Sequence, residues 1–338
     1  MGTIPSAAHF VWIGHQLPFV YGLALRTAAL RGGLQRVVLH HTDDIERPSW
    51  WDDVFGLPTV ELKRIDPDRL LGSLGAEYAP LVPGYHALNY RANQADLLRT
   101  AILMTEGGIY LDTDVIVVAS LAPLLEVPMF LGTCRTVWDH RSVETKNPAR
   151  RMWLRLKSAL RRPLAGLKNG HYLYRRLEGL YPINVNIAVW GSAPGHPLLE
   201  QTLSTMAKAL VDRGMAGPSA TPGQAGQNEA TMPATDDYNF IGPYLVQRLF
   251  ESYEGEDIAV HPPDVFCPLP PVVAGRWFGP TPRPNLSAVV TDETRVVHWF
   301  ASNETKTQTS RITPSFIRDH ADRQLFSALA LPFVEGMA

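Results

Sequence analysis

The apolar and polar positions of the chain alternate between two periods. Residues 7–14, "AAHFVWIG", form a compact apolar run closed by glycine, the pattern of a short buried strand. "PFVYGLALRTAALRGG" (18–33) spaces its apolar residues at the helical period and stops on Gly32 and Gly33. "RVVLHHTDD" (36–44) is again a short apolar run that closes on polar turn residues. Strand, helix and strand in this order predict the opening of a mostly parallel sheet. Residues 92–106 predict a second helix, with Asn89 or Asn93 as its cap and Gly107-Gly108 behind it. A strand, "IYLDTDVIVV" (109–118), follows directly, and 183–199 return to a strand and turn. Residues 214–236 have the composition of a flexible loop. Sheets built this way bind ligands beyond the carboxyl ends of their strands.

Two carboxylates interrupt the strand 109–118. Alternate strand residues share a face, which places Asp112 and Asp114 about 6–7 Å apart along it. Two ionised carboxylates so close, in a partly buried place, cost several kcal/mol unless a cation or donors compensate. A divalent metal is the simplest partner for the pair.

Composition narrows the rest. At 338 residues and 45% hydrophobic content the chain can bury a substantial core in one large domain or two. A net charge of −2 gives no global attraction to nucleic acid. With only Cys134 and Cys267, a disulfide framework and an all-cysteine metal site are excluded, and two reduced thiols are expected. The N-terminus lacks the pattern of a cleaved signal and no stretch predicts a membrane span, so the expected location is the cytoplasm. Arginine outnumbers lysine 25 to 6, a skew that suggests a GC-rich bacterial source. Residues 135–176 hold twelve basic side chains against Asp139 and Glu144. The segment 135–180 thus reads as a basic helical insertion, and three roles suit it: a solvated face, an acceptor-binding patch, or a peripheral membrane contact. The eleven histidines show no metal-binding spacing.

The segments "HFVWIG", "NQADLLRTAILMTEGGIYLDTDV", "NIAVWGSAPGHPLLE", "IGPYLV" and "VVHWFASN" resemble, in this order, the DXD-containing sugar-transferase family. That family includes capsular-polysaccharide transferases, the yeast initiating mannosyltransferases and, more distantly, the catalytic domain of the large glucosylating toxins. The resemblance runs from residue 7 to 303. It implies a GT-A fold, an α/β domain (1–338) with a central mixed sheet, and transfer of a sugar from a nucleotide diphosphate donor with retention of configuration. UDP-sugars are the family's common donors, and GDP-mannose serves the mannosyltransferase branch. The acceptor is then a saccharide or a small molecule, as in polysaccharide or natural-product biosynthesis.

The resemblance also implies roles. Asp114 is the direct metal ligand, with Asp112 reaching the ribose, donor sugar hydroxyls or the metal through water; oxygen ligands of this kind suit Mn²⁺ or Mg²⁺. Asp96 and Arg99 share one face of their helix, and fall at donor-contacting positions. Trp12 matches the position that stacks on the nucleobase; Tyr110 either lines the same pocket or packs within its strand. Asn186 falls near the anomeric carbon, with Asn184 as its rival. An amide is a poor nucleophile, which favours front-face attack. His298 or Ser302 completes the metal shell or holds a phosphate oxygen, and Trp299 is a packing residue. Apart from the resemblance, Asp43 follows the strand ending at His40-His41, at the expected nucleotide edge, and is a candidate to approach the base or ribose. Asp236 and Asp237 border the acceptor. The family usually has Trp directly after the serine, where this chain has Asn303. A different class of protein on this fold, a sugar-nucleotide or glycan-binding protein without turnover, is the alternative. A nucleotidyltransferase would need a Gly-rich basic phosphate loop, which "HFVWIGHQLP" is not.

Overall fold

The first strands, β1 (Ala7–Trp12) and β2 (Arg36–His41), run parallel and are joined by α1 (Phe19–Arg31). Both strands are buried on their two faces, which is why they read as continuous apolar runs rather than alternating ones. Helix α1 buries Leu23, Ala24, Leu25 and Ala28 and ends at Gly32 as its apolar period requires. These elements come from a computed structural model that describes residues 2–137, 147–167, 170–216, 240–281, 283–301 and 306–337.

β3 (Val60–Arg64) pairs parallel with β2 and forms the edge of the sheet. On the other side of β1 lies β4 (Gly108–Leu111), reached through α2 (Arg91–Glu106). The helix begins one residue earlier than expected and its cap is Tyr90 without a side-chain hydrogen bond; Asn93 is buried inside the first turn. Its end matches expectation. Gly107 and Gly108 have φ of 66° and 100°, and a Cβ on Gly108 would sit 2.7 Å from His9 Nε2 and 2.9 Å from the Ala7 carbonyl. Only glycine fits this close approach between α2, β4 and β1.

The strand expected over 109–118 is two strands in two sheets. β4 stops at Leu111, residues 112–114 leave the ladder, and β5 (Val115–Val117) pairs antiparallel with β9 (Val296–His298) in a separate ribbon. Asp112 and Asp114 therefore stand in the gap between two sheets rather than on one strand face. The break lets each carboxylate find partners from elements that a single strand could not reach.

The central sheet has seven strands in the order β3-β2-β1-β4-β7-β6-β8, with β6 (Met129–Arg135), β7 (Ile183–Ser192) and β8 (Ile258–His261). The first four are mutually parallel, β7 is antiparallel to both neighbours, and β8 is parallel to β6. The sheet is mixed, as expected. Two apolar layers cover it: Phe10, Leu23, Phe130 and Trp299 belong to one, and Leu98, Tyr110, Trp190 and Leu203 to the other. The second layer includes the buried faces of α2 and α5 (Pro197–Asp212).

Between β6 and β7 lie α3 (Pro148–Gly166) and α4 (Gly170–Leu177), the helical part of the basic segment; residues 138–146 of it are outside the described residues, as are 217–236 of the expected loop. The expectation of reduced thiols does not hold. Cys134 on β6 and Cys267, whose Cα atoms are 5.7 Å apart, are joined as a disulfide, because the fold brings together two residues that are 133 positions apart in the chain. Among the described residues no helix is long and apolar enough to cross a membrane.

Candidate active site

The site forms where β4 ends, β5 begins and β9 arrives from the far end of the chain. Asp112, the first residue past β4, donates its amide to the Ala188 carbonyl at 2.8 Å, which ties it to β7. Its Oδ1 accepts from the Tyr110 hydroxyl at 3.0 Å and lies 3.2 Å from Arg99 Nη1. Arg99 also meets Asp96 Oδ1 at 3.0 Å and donates to the Ile187 carbonyl at 2.9 Å, with its guanidinium carbon 4.5 Å from the centre of the Tyr110 ring. Asp96 and Arg99 are each 6% exposed, so the pair is no surface ion pair.

Asp114 is held from the other side. Oδ2 accepts the Ala301 amide at 2.7 Å, Oδ1 lies 3.1 Å from His298 Nε2, and the Asp114 carbonyl accepts the Trp299 amide at 3.1 Å. His298 ends β9 directly opposite Val115. Phe300 follows at φ 59°, an unusual left-handed conformation for an aromatic residue, with its ring 3.8 Å from the His298 ring. This turn of the backbone carries the Ala301 amide back to the carboxylate.

The candidate asparagines separate. Asn186 Nδ2 lies 3.4 Å from His298 Nδ1, and its Oδ1 accepts the Ala188 amide at 3.0 Å. The other ring nitrogen, Nε2, is the one that faces Asp114. Asn184 is buried and donates to Thr136 Oγ1 instead. A register slip of β6 against β7 between Leu131 and Gly132 accompanies this difference.

Electrostatics follow from burial. Loss of solvent pushes the Asp96 pKa up to about 7, against the opposing pull of Arg99 and with a further push from Asp112. Asp112 is raised by burial and by Asp114, with Arg99 opposing. Asp114 is lowered: burial works against its charge, but His298 and the Ala301 amide outweigh it. On His298 burial disfavours charge, yet Asp114 and then Asp112 raise its pKa above the usual value. Three carboxylates thus face one guanidinium and one imidazole, an acidic cluster able to take up a cation.

Asp112, Asp114 and His298 each offer a ligand atom, all within 4.8 Å of one another. Two carboxylates and an imidazole fit Mn²⁺ or Mg²⁺ with coordination positions left for a ligand's oxygens. A second group of this kind, His9, His40 and Glu106, is already engaged internally: His9 Nδ1 meets His40 Nε2 at 2.9 Å and Glu106 meets Lys63 at 2.7 Å.

The remaining expected residues differ in exposure and partners. Tyr110 is 2% exposed and braces Asp112 and Arg99 from inside the core rather than lining a pocket. Trp12 is half-buried at the carboxyl end of β1, its ring 5.0 Å from Tyr21, which in turn stands 6.0 Å from Trp299. Trp299 is fully buried. Asp43 accepts from the Gly14 amide and the Thr42 hydroxyl, both at 2.8 Å, and so anchors the loop after β1. Ser302, Asn303, Asp236 and Asp237 lie outside the described residues. Sequence reasoning missed the Ala301 amide and the contact of Arg99 with Asp112; neither leaves a signal in local spacing.

Residues 63–131 match the glycosyltransferase sugar-binding region containing DXD motif, and the match spans Asp96, Arg99, Asp112 and Asp114. A DXD-type glycosyltransferase region is what this stretch is similar to. The chain is also 24% identical over 220 residues to glucan organizing enzyme 1 of the fungus Cryptococcus neoformans var. grubii, an alignment covering 60% of this chain and 53% of that protein. The chain thus spans about half the length of that relative. Among solved structures, the PaToxG glycosyltransferase aligns over 74% of this chain and 70% of its own, with 16% identity and a TM-score of 0.45. The UDP-bound glycosyltransferase domain of the YGT toxin aligns over 77% of this chain and 80% of its own, with 12% identity and a TM-score of 0.43.

Proposed function

We propose that this glycosyltransferase is metal-dependent and retaining, and that it moves a hexose-type sugar from a nucleotide diphosphate donor, a UDP-sugar before GDP-mannose, onto a saccharide or small-molecule acceptor. The convergence of Asp112, Asp114 and His298 within 4.8 Å, braced by Asp96 and Arg99, carries the proposal. When bound there, a divalent ion supplies Lewis-acid stabilisation of the charge that develops on the departing diphosphate.

The protein's own groups do the rest. Asp114 and Asp112 bring the negative charge that holds the ion. Arg99 holds Asp112 in place and favours its charged form beside a second buried carboxylate. Asp96 at the helix face, and the free side of Asp112, offer acceptors for sugar or ribose hydroxyls. Trp12, at the strand end, offers an apolar face to the base. Asn186, linked to His298, orients the sugar near its anomeric carbon. An amide is a poor nucleophile, so front-face attack is favoured. The acceptor hydroxyl then bonds to the anomeric carbon, the bond to the diphosphate oxygen breaks, and that oxygen takes the hydroxyl proton.

A saccharide acceptor accords with the fungal relative's name, which associates that protein with glucan. A binding protein without turnover has less support, because Asp96, Arg99 and Asp112 are joined by ion pairs and Asp114 is held by His298 and the Ala301 amide. The test is nucleotide release from a panel of UDP-sugars and GDP-mannose with Mn²⁺, for wild type and Asp114→Ala. Loss of the metal's several kcal/mol of charge stabilisation predicts a fall of roughly 10²–10³-fold in Asp114→Ala. Release that persists undiminished in the variant defeats the metal assignment; no release from any donor defeats the transfer reading.

A further inference from the structure

The helices between β6 and β7 turn apolar side chains outward beside arginines. On α3, Met152 is 71% exposed, Trp153 46% and Leu156 50%. At 100° per residue these three fall in one arc of about 100°. Leu154 and Lys157, at 2% and 6% exposure, occupy a different arc against the body of the protein, where Lys157 donates to the Leu180 carbonyl at 3.3 Å. Arg151 and Arg155, both exposed, border the outward arc on its other side. On α4, Leu173 is 41% exposed and Arg176 is exposed as well. The stretch 135–176 holds twelve basic residues and two acidic ones in a chain whose net charge is −2, so the remainder of the molecule is net acidic.

We propose that this face docks on an anionic lipid bilayer. A solvated surface has no reason to set Met, Trp and Leu together in the open, whereas a helix lying in the interface buries such an arc at the headgroup boundary. Arginines along the border extend their guanidinium groups to lipid phosphates while their stems stay with the apolar arc. Two other occupants fit less well. A second copy would bring one basic face against another, and a soluble polyanion would neutralise the arginines but leave Met152, Trp153 and Leu156 in water. The helices leave the sheet at Arg135 and return at Ile183, which is paired with it, three residues before Asn186. The docking face is therefore rooted beside the candidate active site, although the proposal does not rest on transfer activity.

The test is flotation of the full chain, without donor, on vesicles of phosphatidylcholine alone and of phosphatidylcholine with phosphatidylglycerol. Anionic vesicles should retain at least about tenfold more protein than neutral ones, and raised salt should weaken the binding. The triple variant Met152→Ser, Trp153→Ser, Leu156→Ser should lose at least about tenfold of that binding while still unfolding cooperatively at a melting temperature near wild type, since all three residues are at least 46% exposed. Equal partition on both vesicles overturns the proposal. So does a folded triple variant that still floats like wild type, or that binds RNA and anionic vesicles alike, because charge alone would then account for the face.

Discussion

At the scale of single residues, Arg99 decides how three carboxylates coexist. It bridges Asp96 at 3.0 Å and Asp112 at 3.2 Å, donates to Ile187, and is almost wholly buried. Arg99→Met leaves two buried acids without their cation and should cost about 3–5 kcal/mol in urea unfolding. Asp96→Asn should cost far less near neutral pH. Burial has already pushed the Asp96 carboxyl to about 7, so an uncharged amide replaces a group that is partly protonated there. A melting curve of Arg99→Met superimposable on wild type would show that the guanidinium compensates nothing. The D-x-D pair was legible in the sequence because charges inside an apolar run are conspicuous. The Arg99 contact with Asp112 was not, since it joins residues 13 positions apart on different elements and follows only from how α2 packs on β4.

Among elements, β1 and β2 carry their own buried polar contact. His9 and His40 are 1% and 0% exposed and meet at 2.9 Å. Burial lowers the His9 pKa to about 4, with Glu106 opposing, and drives His40 well below the usual value, with His9 adding to the effect. Because these folded values lie below the unfolded ones, the unfolded chain binds more protons between them. Stability is therefore fully present above about pH 6.5 and is lost as pH falls towards 4, by up to about 1.4 kcal/mol per pH unit for each histidine. Melting temperatures across this range should fall for wild type and fall less steeply for His40→Gln at matched salt; parallel slopes would assign the acid sensitivity elsewhere. The opening strands, α1 and the Gly107-Gly108 stop were legible because period and glycine chemistry are local. The division of 109–118 into β4 and β5 was not, because β5 takes its partner, β9, from residues 296–298, and no local period announces a change of sheet. The antiparallel β7 escaped for a similar reason: an apolar strand does not state its direction.

For the molecule as a whole, the fold class followed from strand–helix–strand order, while the disulfide and the outward face of α3 emerged only from the packed chain. One consequence concerns every part of the site at once. Asp112 and Asp114 repel each other in the free protein, with the first carboxyl raised and the second held low by His298. A divalent cation relieves that repulsion but would retain unfilled coordination positions, and a diphosphate approaching without the cation meets three carboxylates. Each ligand thus improves the site for the other, and their binding free energies should be coupled, reciprocally, by about 1–3 kcal/mol. UDP alone and Mn²⁺ alone should each raise the melting temperature little. Together, at about a hundred times the dissociation constant, they should add about 2.7 kcal/mol, a shift of a few degrees that exceeds the sum of the separate ones. EDTA should abolish the excess, and Asp114→Ala should show none even with Mn²⁺ present. If UDP stabilises wild type equally with EDTA and with Mn²⁺, the site binds the nucleotide without a metal, and the positive charge that the diphosphate and the carboxylates require must come from a protein side chain.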